Sequence, residues 1–247
     1  MEPFQKVTSI VTPLDKVNVD TDQIIPKQFL KLVQKSGFGK FLFFNWRYDE
    51  NENLKSDFVL NDSKYNDSKI LVAGDNFGCG SSREHAVWAL DDYGFSVIIS
   101  SSFADIFYSN CFKNGILPIV LESTIVDKLQ HETNPIEVDL ENQVIKTNSE
   151  NISFEINSHK KKILLEGLDD IAQTLQFEEK ISNFEKKSTI PSVLWFSLLI
   201  SRFFLKSLVI LHQSILFVLY REQKFFLLLT NLVKYQMTSL LVFVFSF

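Results

Sequence analysis

Hydrophobic and polar positions in the middle of the chain follow two alternating periods. Short apolar runs that are rich in β-branched residues predict buried strands at 69–73, 95–100 and 116–121. Between them, apolar residues recur every three to four positions, which predicts helices at 82–93 and 103–113. This order predicts a βαβαβ unit with a parallel sheet, and therefore an α/β fold.

Residues at the ends of the two predicted helices are typical of helix boundaries. Ser81 and Glu84 have the spacing of a capping box, and Ser102 precedes the second helix. Gly94 and Gly115 follow the two helices as C-terminal stops. The sequence therefore predicts where each helix begins and ends.

The flanking segments are more varied and make the predicted fold mixed α/β. Alternating patterns predict a strand at 7–11, a hairpin from 136–140 and 143–147, and a further strand at 152–156. Residues 168–185 predict a closing amphipathic helix, whereas 34–64 is a long irregular stretch. Long loops in compact domains are usually functional.

Composition changes abruptly near Lys187. The net charge is −5 over 247 residues, but residues 188–247 carry +4, which leaves −9 for residues 1–187. Residues 190–247 contain no Ala, Gly or Asp and are dominated by Leu and Phe. We therefore interpret residues 1–187 as one domain and residues 188–247 as a separate hydrophobic tail.

Charge and cysteine content exclude several classes of protein. An acidic body lacks the clustered Lys and Arg that nucleic-acid binding needs, so we expect no nucleic-acid partner. Cys79 and Cys111 are too few for a disulfide framework or a four-thiolate metal site. Residues 1–10 lack the apolar run of a secretory signal. We expect a cytoplasmic protein with no metal bound by this chain.

The segment 74–85 (GDNFGCGSSREH) follows a predicted strand and opens a predicted helix, where backbone N–H groups favour an anion. It is not a P-loop, because Ser81 and Ser82 follow the last glycine where Lys and Ser/Thr are needed. It is not a dinucleotide fingerprint, because Arg83 occupies the position that needs a small residue. The segment is a candidate site for a carboxylate or an oxyanion.

Two hydroxyls and a guanidinium remain as the candidate chemistry of this turn. Arg83 suits bidentate carboxylate binding, and a serine among N–H donors can act as a base. The structural alternative, of equal weight here, is that Ser81 only caps the helix and Arg83 is solvated. A thiol nucleophile at Cys79 acting with His85 is a weaker hypothesis, because a thiol in a tight turn needs no chemistry.

Residues 75–90 (DNFGCGSSREHAVWAL) resemble the signature of the aconitase-superfamily swivel domain and, within it, the small subunits of bacterial 3-isopropylmalate dehydratases. Four further segments agree in order, at 17–30, 37–48, 102–118 and 167–175. The resemblance covers about residues 5–187. It implies a swivelling β/β/α domain with a mixed sheet.

The resemblance also implies a function. Family members of this kind pair with a separate large subunit that carries a [4Fe–4S] cluster, so this chain itself is expected to bind no cofactor. The pair is a hydro-lyase of leucine biosynthesis, interconverting 2-isopropylmalate and 3-isopropylmalate, which are small dicarboxylates. Alternatives are a related hydro-lyase for citraconate, methylthioalkylmalate or homocitrate-type substrates, and a non-catalytic carboxylate-binding module.

Site residues follow from the resemblance position by position. Ser81 matches the family's base, and Ser82 and Arg83 match groups that bind a substrate carboxylate. The residues expected to support this turn are Gly78, Gly80, Glu84 and His85.

Two other segments match the substrate side of the family's site. Asp20, Thr21 and Asp22 match a loop that faces the active site, although an Asx turn that bonds local N–H groups explains the aspartates equally well. No arginine occurs between Met1 and Arg47, which favours an apolar substrate arm. Leu30 or Leu32 is predicted to accommodate an isopropyl group, with an ordinary core position as the alternative.

The tail departs from the family, whose small subunits end near the position of Lys187. One hypothesis is a membrane-associated segment, although Lys206 and His212 interrupt its longest apolar run. The other is a non-native extension, translated from AT-rich sequence beyond a lost stop codon, which the missing Ala, Gly and Asp favour.

Overall fold

A computed structural model describes residues 1–31 and 36–187. The chain divides after Glu178 into two units, and α8 (Glu178–Lys187) supplies the described part of the second. Leu32 and the tail at 188–247 lie outside the described residues, so the predictions made for them are not tested. Among the described residues, no helix is long and apolar enough to cross a membrane.

Strands of the first unit form two four-stranded sheets. The parallel sheet has the order β2-β3-β4-β5 and contains β2 (Val11–Leu14), β3 (Ile70–Ala73), β4 (Val97–Ser100) and β5 (Leu117–Val120). The antiparallel sheet has the order β1-β6-β7-β8 and contains β1 (Val7–Ser9), β6 (Ile136–Asp139), β7 (Val144–Lys146) and β8 (Asn151–Ser153). The α/β fold is confirmed, with parallel and antiparallel pairing divided between two sheets.

The parallel sheet is buried on both faces, which explains its continuous apolar strands. Ile70, Val72 and Val97 face a core shared with the antiparallel sheet. Leu71 and Ile98 alternate with them and face a second core, built from α3 (Glu84–Tyr93) and the aromatic residues of 38–60. Pro13 fits in β2 because this is an edge strand.

The remaining helices are short. They are α1 (Thr21–Ile24), α2 (Phe44–Arg47), α4 (Asp105–Lys113), α5 (Ser123–Gln130), α6 (Ser158–Glu166) and α7 (Asp170–Leu175). The predicted closing helix at 168–185 is therefore wrong as a single element, since α7 and α8 share that stretch. Gly167, at φ +65°, ends the unpredicted α6, and Asp169 caps α7 by accepting a hydrogen bond from the Ala172 N–H at 2.7 Å.

Boundaries of the two central helices differ from the prediction by about two residues. Gly94 ends α3 in the left-handed region, as expected. The predicted capping box of Ser81 with Glu84 does not form. The helix begins at Glu84 with Arg83 as its N-cap, and the Arg83 side chain makes no capping bond. Ser102 does not cap α4 either, since its hydroxyl donates to Asp75. Glu84 and Ser102, which local spacing assigned to helix caps, therefore form hydrogen bonds with residues distant in sequence instead.

Adjacent loops at the carboxyl ends of β3 and β4 meet at one edge of the parallel sheet. The loop after β3 is the glycine-rich segment 74–83, and the loop after β4 leads into α4. In open α/β sheets, ligands bind at this edge of the strands. The topology therefore places the candidate site of the sequence between the starts of α3 and α4.

Candidate active site

The first half of the glycine loop is held against the segment that follows β2. The Gly74 N–H donates to the Lys16 carbonyl at 3.1 Å, and the Gly78 N–H donates to the Val19 carbonyl at 2.9 Å. The Thr21 N–H donates back to the Cys79 carbonyl at 2.8 Å. These bonds continue the parallel pairing of β2 with β3 beyond the sheet and fix the path of the loop.

The loop after β4 holds the opposite side of the glycine loop. The Phe77 N–H donates to the Ser102 carbonyl at 3.0 Å, and the Ala104 N–H donates to the Phe77 carbonyl at 3.1 Å. The Asp75 carboxylate accepts the Ser102 hydroxyl at 2.5 Å and the Ser101 hydroxyl at 3.3 Å. The Ser102 bond is the main cause that lowers the pKa of Asp75. The glycine loop is thus anchored on both sides.

Two glycines of this loop leave no room for a side chain. A Cβ on Gly80 would lie 2.2 Å from Asp20 Oδ2, and Gly80 has φ +93°. A Cβ on Gly78 would lie 2.2 Å from the Phe107 ring, at φ +76°. Both positions need glycine for its positive φ and for the close approach. Gly78 and Gly80 therefore shape the loop.

Asp20 and Thr21 position the backbone around the loop. Asp20 caps α1, because its Oδ1 accepts the Asp22 N–H at 2.6 Å, while Gln23 Oε1 accepts the Asp20 N–H at 2.9 Å. This is the local bonding that the Asx-turn alternative expects. Thr21 is 1% exposed, and its hydroxyl donates to the Ser81 carbonyl at 3.1 Å. Thr21 therefore anchors the peptide of Ser81 directly.

Asp22 binds the guanidinium of Arg83. One carboxylate oxygen of Asp22 accepts from Arg83 Nη1, and the other lies 3.4 Å from Lys27 Nζ. The side chain of Arg83 is only 10% exposed. Within the described part of the chain, no acceptor contacts Nε or Nη2 of Arg83. Asp22 thus fixes one edge of the guanidinium and leaves other donors of the planar fork for a ligand.

An open cavity of about 240 Å³ lies beside these residues. Its walls are Thr21, Gly78, Gly80, Ser81 and Arg83 on one side, and Ala104, Asp105, Ile106 and Phe107 on the other. Ser81 and Ser82 are both exposed, but only Ser81 lines the cavity. Sequence analysis missed the wall formed by α4, although the adjacency of β3 and β4 could have predicted it.

Backbone N–H groups make this cavity suitable for an anion. Among the backbone hydrogen bonds of the described residues, none is donated by residues 80–85. Of these residues, Gly80, Ser81 and Arg83 line the cavity, and Arg83 directly precedes α3, where the helix dipole is positive. Arg83 adds a full positive charge to the same wall. Asp105 lines the opposite wall and Asp22 pairs with Arg83, so the cavity offers a carboxylate local donors rather than a net positive charge.

Glu84 and His85 support the start of α3 rather than line the cavity. Glu84 Oε1 accepts a hydrogen bond from Asn114 Nδ2 at 2.9 Å. The His85 ring packs on Trp88, with 4.6 Å between ring centroids, and on Phe38, with 5.4 Å between ring centroids. The predicted supporting role of both residues thus corresponds to contacts within the domain.

Leu30 is half-buried and packs against the core of 38–60, and it does not line the cavity. Burial, and then the charge of Asp20, raise the pKa of the Cys79 thiol, which disfavours a thiolate nucleophile. Cys111 is buried, and burial strongly raises the pKa of its thiol. The described residues contain no cluster of three or more His, Cys, Asp or Glu side chains able to hold a metal ion.

Comparisons with known proteins agree on one family. A family model described as the aconitase C-terminal domain matches residues 1–124. A Pelagibacter ubique protein is 57% identical over 190 residues, covering 75% of this chain and 93% of its own length. A Bacillus subtilis protein is 51% identical over 192 residues, covering 76% and 96%. Both relatives are named 3-isopropylmalate dehydratase small subunit.

One solved structure also resembles this chain. It is the crystal structure of 3-isopropylmalate dehydratase from Methanocaldococcus jannaschii, with a TM-score of 0.56 and 27% sequence identity. The match covers 72% of this chain and 99% of that one.

The close approach at Gly80 generates a stability prediction with a matched control. Gly80→Ala adds a Cβ against the Asp20 carboxylate at positive φ, whereas Gly37→Ala adds one at φ +89° with no atom of the described, non-adjacent residues within 4 Å. Backbone strain alone costs about 1–3 kcal/mol at either site. In thermal unfolding we expect Gly80→Ala to lower the midpoint clearly more than Gly37→Ala. Equal shifts would contradict the close contact of loop and carboxylate.

Proposed function

The chain belongs to the family of 3-isopropylmalate dehydratase small subunits, and from this premise we propose how its own residues take part in the interconversion of 2-isopropylmalate and 3-isopropylmalate. The observation that carries the proposal is the cavity in which Ser81 and Arg83 face the start of α4. The activity is that of a hydro-lyase in leucine biosynthesis. A large subunit is the partner that the name of these relatives implies.

Arg83 binds one carboxylate of the substrate in this proposal. The guanidinium is held by Asp22 through Nη1, so its position is fixed before the substrate arrives. Its remaining N–H groups can form the paired bonds that a carboxylate accepts. Ser82, exposed beside Arg83, supplies a further hydroxyl to the same carboxylate. Asp22 is then a positioning residue, and Asp20 and Thr21 shape the wall.

Ser81 acts as the base. Its peptide is anchored by Thr21, and its side chain is exposed at the cavity wall. The N–H groups of 80–85 and the charge of Arg83 favour the alkoxide form of the Ser81 hydroxyl. Ser81 Oγ takes the proton from the carbon next to the one that bears the hydroxyl. The electron pair of the broken C–H bond forms the C=C bond as the C–O bond breaks, and the hydroxyl group leaves as water with a proton from the solvent. Water then adds with its hydroxyl on the other carbon, and Ser81 Oγ returns the proton, which gives the isomer.

We assign the [4Fe–4S] cluster to the large subunit, because such clusters are held by several cysteine thiolates and this chain contains only two cysteines. Burial keeps one of these, Cys111, away from any ligand. When bound, the cluster supplies a Lewis acid for the substrate hydroxyl. The residues of this chain then bind the carboxylate and move the proton.

The preference for an isopropyl arm rests on the sequence. The absence of arginine between Met1 and Arg47 disfavours a third carboxylate, and Leu30 and Leu32 are the apolar residues of this stretch that the sequence assigns to the alkyl group. We propose that this segment contacts the alkyl group in the assembled enzyme. Comparing rates with citraconate, methylthioalkylmalate and homocitrate-type substrates tests the preference. A higher rate with a tricarboxylate would contradict it.

We propose that residues 1–187 suffice for this role. The relatives match over 93–96% of their own lengths while covering about three quarters of this chain. A cytoplasmic location remains a prediction of the sequence alone.

The role of Ser81 predicts a loss confined to turnover. Ser81→Ala should lower kcat by about 10²–10⁴-fold, because the base is removed. Reconstitution with an iron–sulfur large subunit, followed by the absorbance of the alkene isopropylmaleate, measures turnover, and co-elution measures assembly. Ser153→Ala is the control, an exposed serine in β8. Near-normal turnover of Ser81→Ala would remove it as the base.

The role of Arg83 predicts a change in substrate affinity. Arg83→Lys keeps the charge but loses the planar fork, so KM should rise about tenfold or more. The fall in kcat should be smaller than for Ser81→Ala. An unchanged KM would show that the guanidinium does not bind the substrate.

The proposed boundary predicts that the tail is dispensable. A chain of residues 1–187 should fold, co-elute with the large subunit and support the same kcat as the full chain, within about twofold. Failure to fold or to pair would contradict this boundary.

A further inference from the structure

Asn114, at the C-terminal end of α4, forms a fully bonded hub between α4 and α3. Its Oδ1 accepts a hydrogen bond from Trp88 Nε1 at 2.9 Å. Its Nδ2 donates to Glu84 Oε1 at 2.9 Å and to the Asn110 carbonyl at 2.9 Å. An indole N–H can only donate, so the orientation of the Asn114 amide is determined. Both amide hydrogens and the oxygen of Asn114 are therefore used.

The hub holds the part of α3 that lacks an ordinary cap. Arg83 is the N-cap, and its side chain makes no capping bond to the first turn. Glu84 and Trp88 are four residues apart and lie on one face of α3. Asn114 thus binds the first two turns from the side. This lateral attachment replaces the Ser81 cap that the sequence predicted.

Arg83 and Ser81 are attached to the domain in different ways. The Ser81 carbonyl is bonded to Thr21, independently of α3. Arg83 directly precedes Glu84, so its backbone position depends on where α3 begins. We propose that Asn114 is a positioning residue that, through Glu84, sets Arg83 for the substrate carboxylate. This inference rests on the function proposed above for Arg83.

A purely structural role is the alternative, and the chain offers a matched control for it. Asn61 is also half-buried and makes three side-chain bonds. It accepts from Arg47 Nε at 3.2 Å and donates to the carbonyls of Arg47 and Lys55 at 2.7 and 2.8 Å. Asn61 does not line the cavity. Loss of the side-chain bonds of either Asn114 or Asn61 should lower the thermal midpoint, but only the loss at Asn114 should change substrate binding.

The test replaces the amide donor that Asn114 gives to Glu84 and to the Asn110 carbonyl by an acceptor. Asn114→Asp keeps an acceptor for Trp88 but sets a carboxylate against Glu84, so in the complex with the large subunit KM should rise about tenfold while kcat stays within about threefold. Glu84→Gln in the Asn114→Asp background supplies a donor to the new carboxylate. The double variant should recover KM to within about threefold of wild type.

Asn61→Asp should lower the thermal midpoint without changing KM. A KM for Asn114→Asp no higher than for Asn61→Asp, or no recovery in the double variant, would overturn the inference. Hydrogen–deuterium exchange of the full chain alone adds a readout that needs no turnover. Exchange over 82–90 should be faster in Asn114→Asp and not in Asn61→Asp, and equal exchange would also overturn it.

An inactive wild-type complex would count against the proposed function, not against Asn114. An active complex with an unchanged KM in Asn114→Asp would count against Asn114 alone. The two failures are therefore distinguishable.

Discussion

The close backbone contact between the segment after β2 and the glycine loop is the constraint on which the site depends. Gly80 lies so near the Asp20 carboxylate that no side chain fits between them. That contact brings Thr21 to the Ser81 carbonyl and Asp22 to Arg83. Residues 20–22, which are far from the glycine loop in the sequence, thus position Ser81 and Arg83, the two residues assigned to the chemistry.

An acidic protein can bind a dicarboxylate here because its local charges are arranged against the overall balance. The carboxylate of Asp20 is directed to its own helix start, and that of Asp22 is paired with Arg83 and Lys27. Among the described residues, the N–H groups of Gly80, Ser81 and Arg83, which line the cavity, donate no backbone hydrogen bond. Binding of a carboxylate here therefore rests on these N–H donors and on the remaining donors of Arg83, which act over short range, while Asp105 on the opposite wall adds a negative charge.

Sequence patterns predicted the parts of this chain that depend on burial. Strands β3, β4 and β5 of the parallel sheet are apolar on both faces, so their apolar runs predict them, and the glycines mark segment 74–83. The strand predicted at 7–11 is wrong as one element, because β1 (Val7–Ser9) and β2 (Val11–Leu14) belong to different sheets. The capping box of Ser81 with Glu84 was wrong because Asn114, thirty residues away from Glu84, takes its carboxylate. The α4 wall and the half-buried position of Leu30 depend on tertiary neighbours that local spacing does not encode.

The most direct test of this account is a structure of the full chain with an iron–sulfur large subunit and bound isopropylmaleate. We predict a substrate carboxylate on the free N–H groups of Arg83, with Asp22 still on Nη1, and Ser81 Oγ about 3–3.5 Å from the alkene carbon that gives up its proton in the dehydration. An alkene diacid bound away from this cavity, or Arg83 bound only to Asp22 while another cation holds the carboxylate, would contradict it.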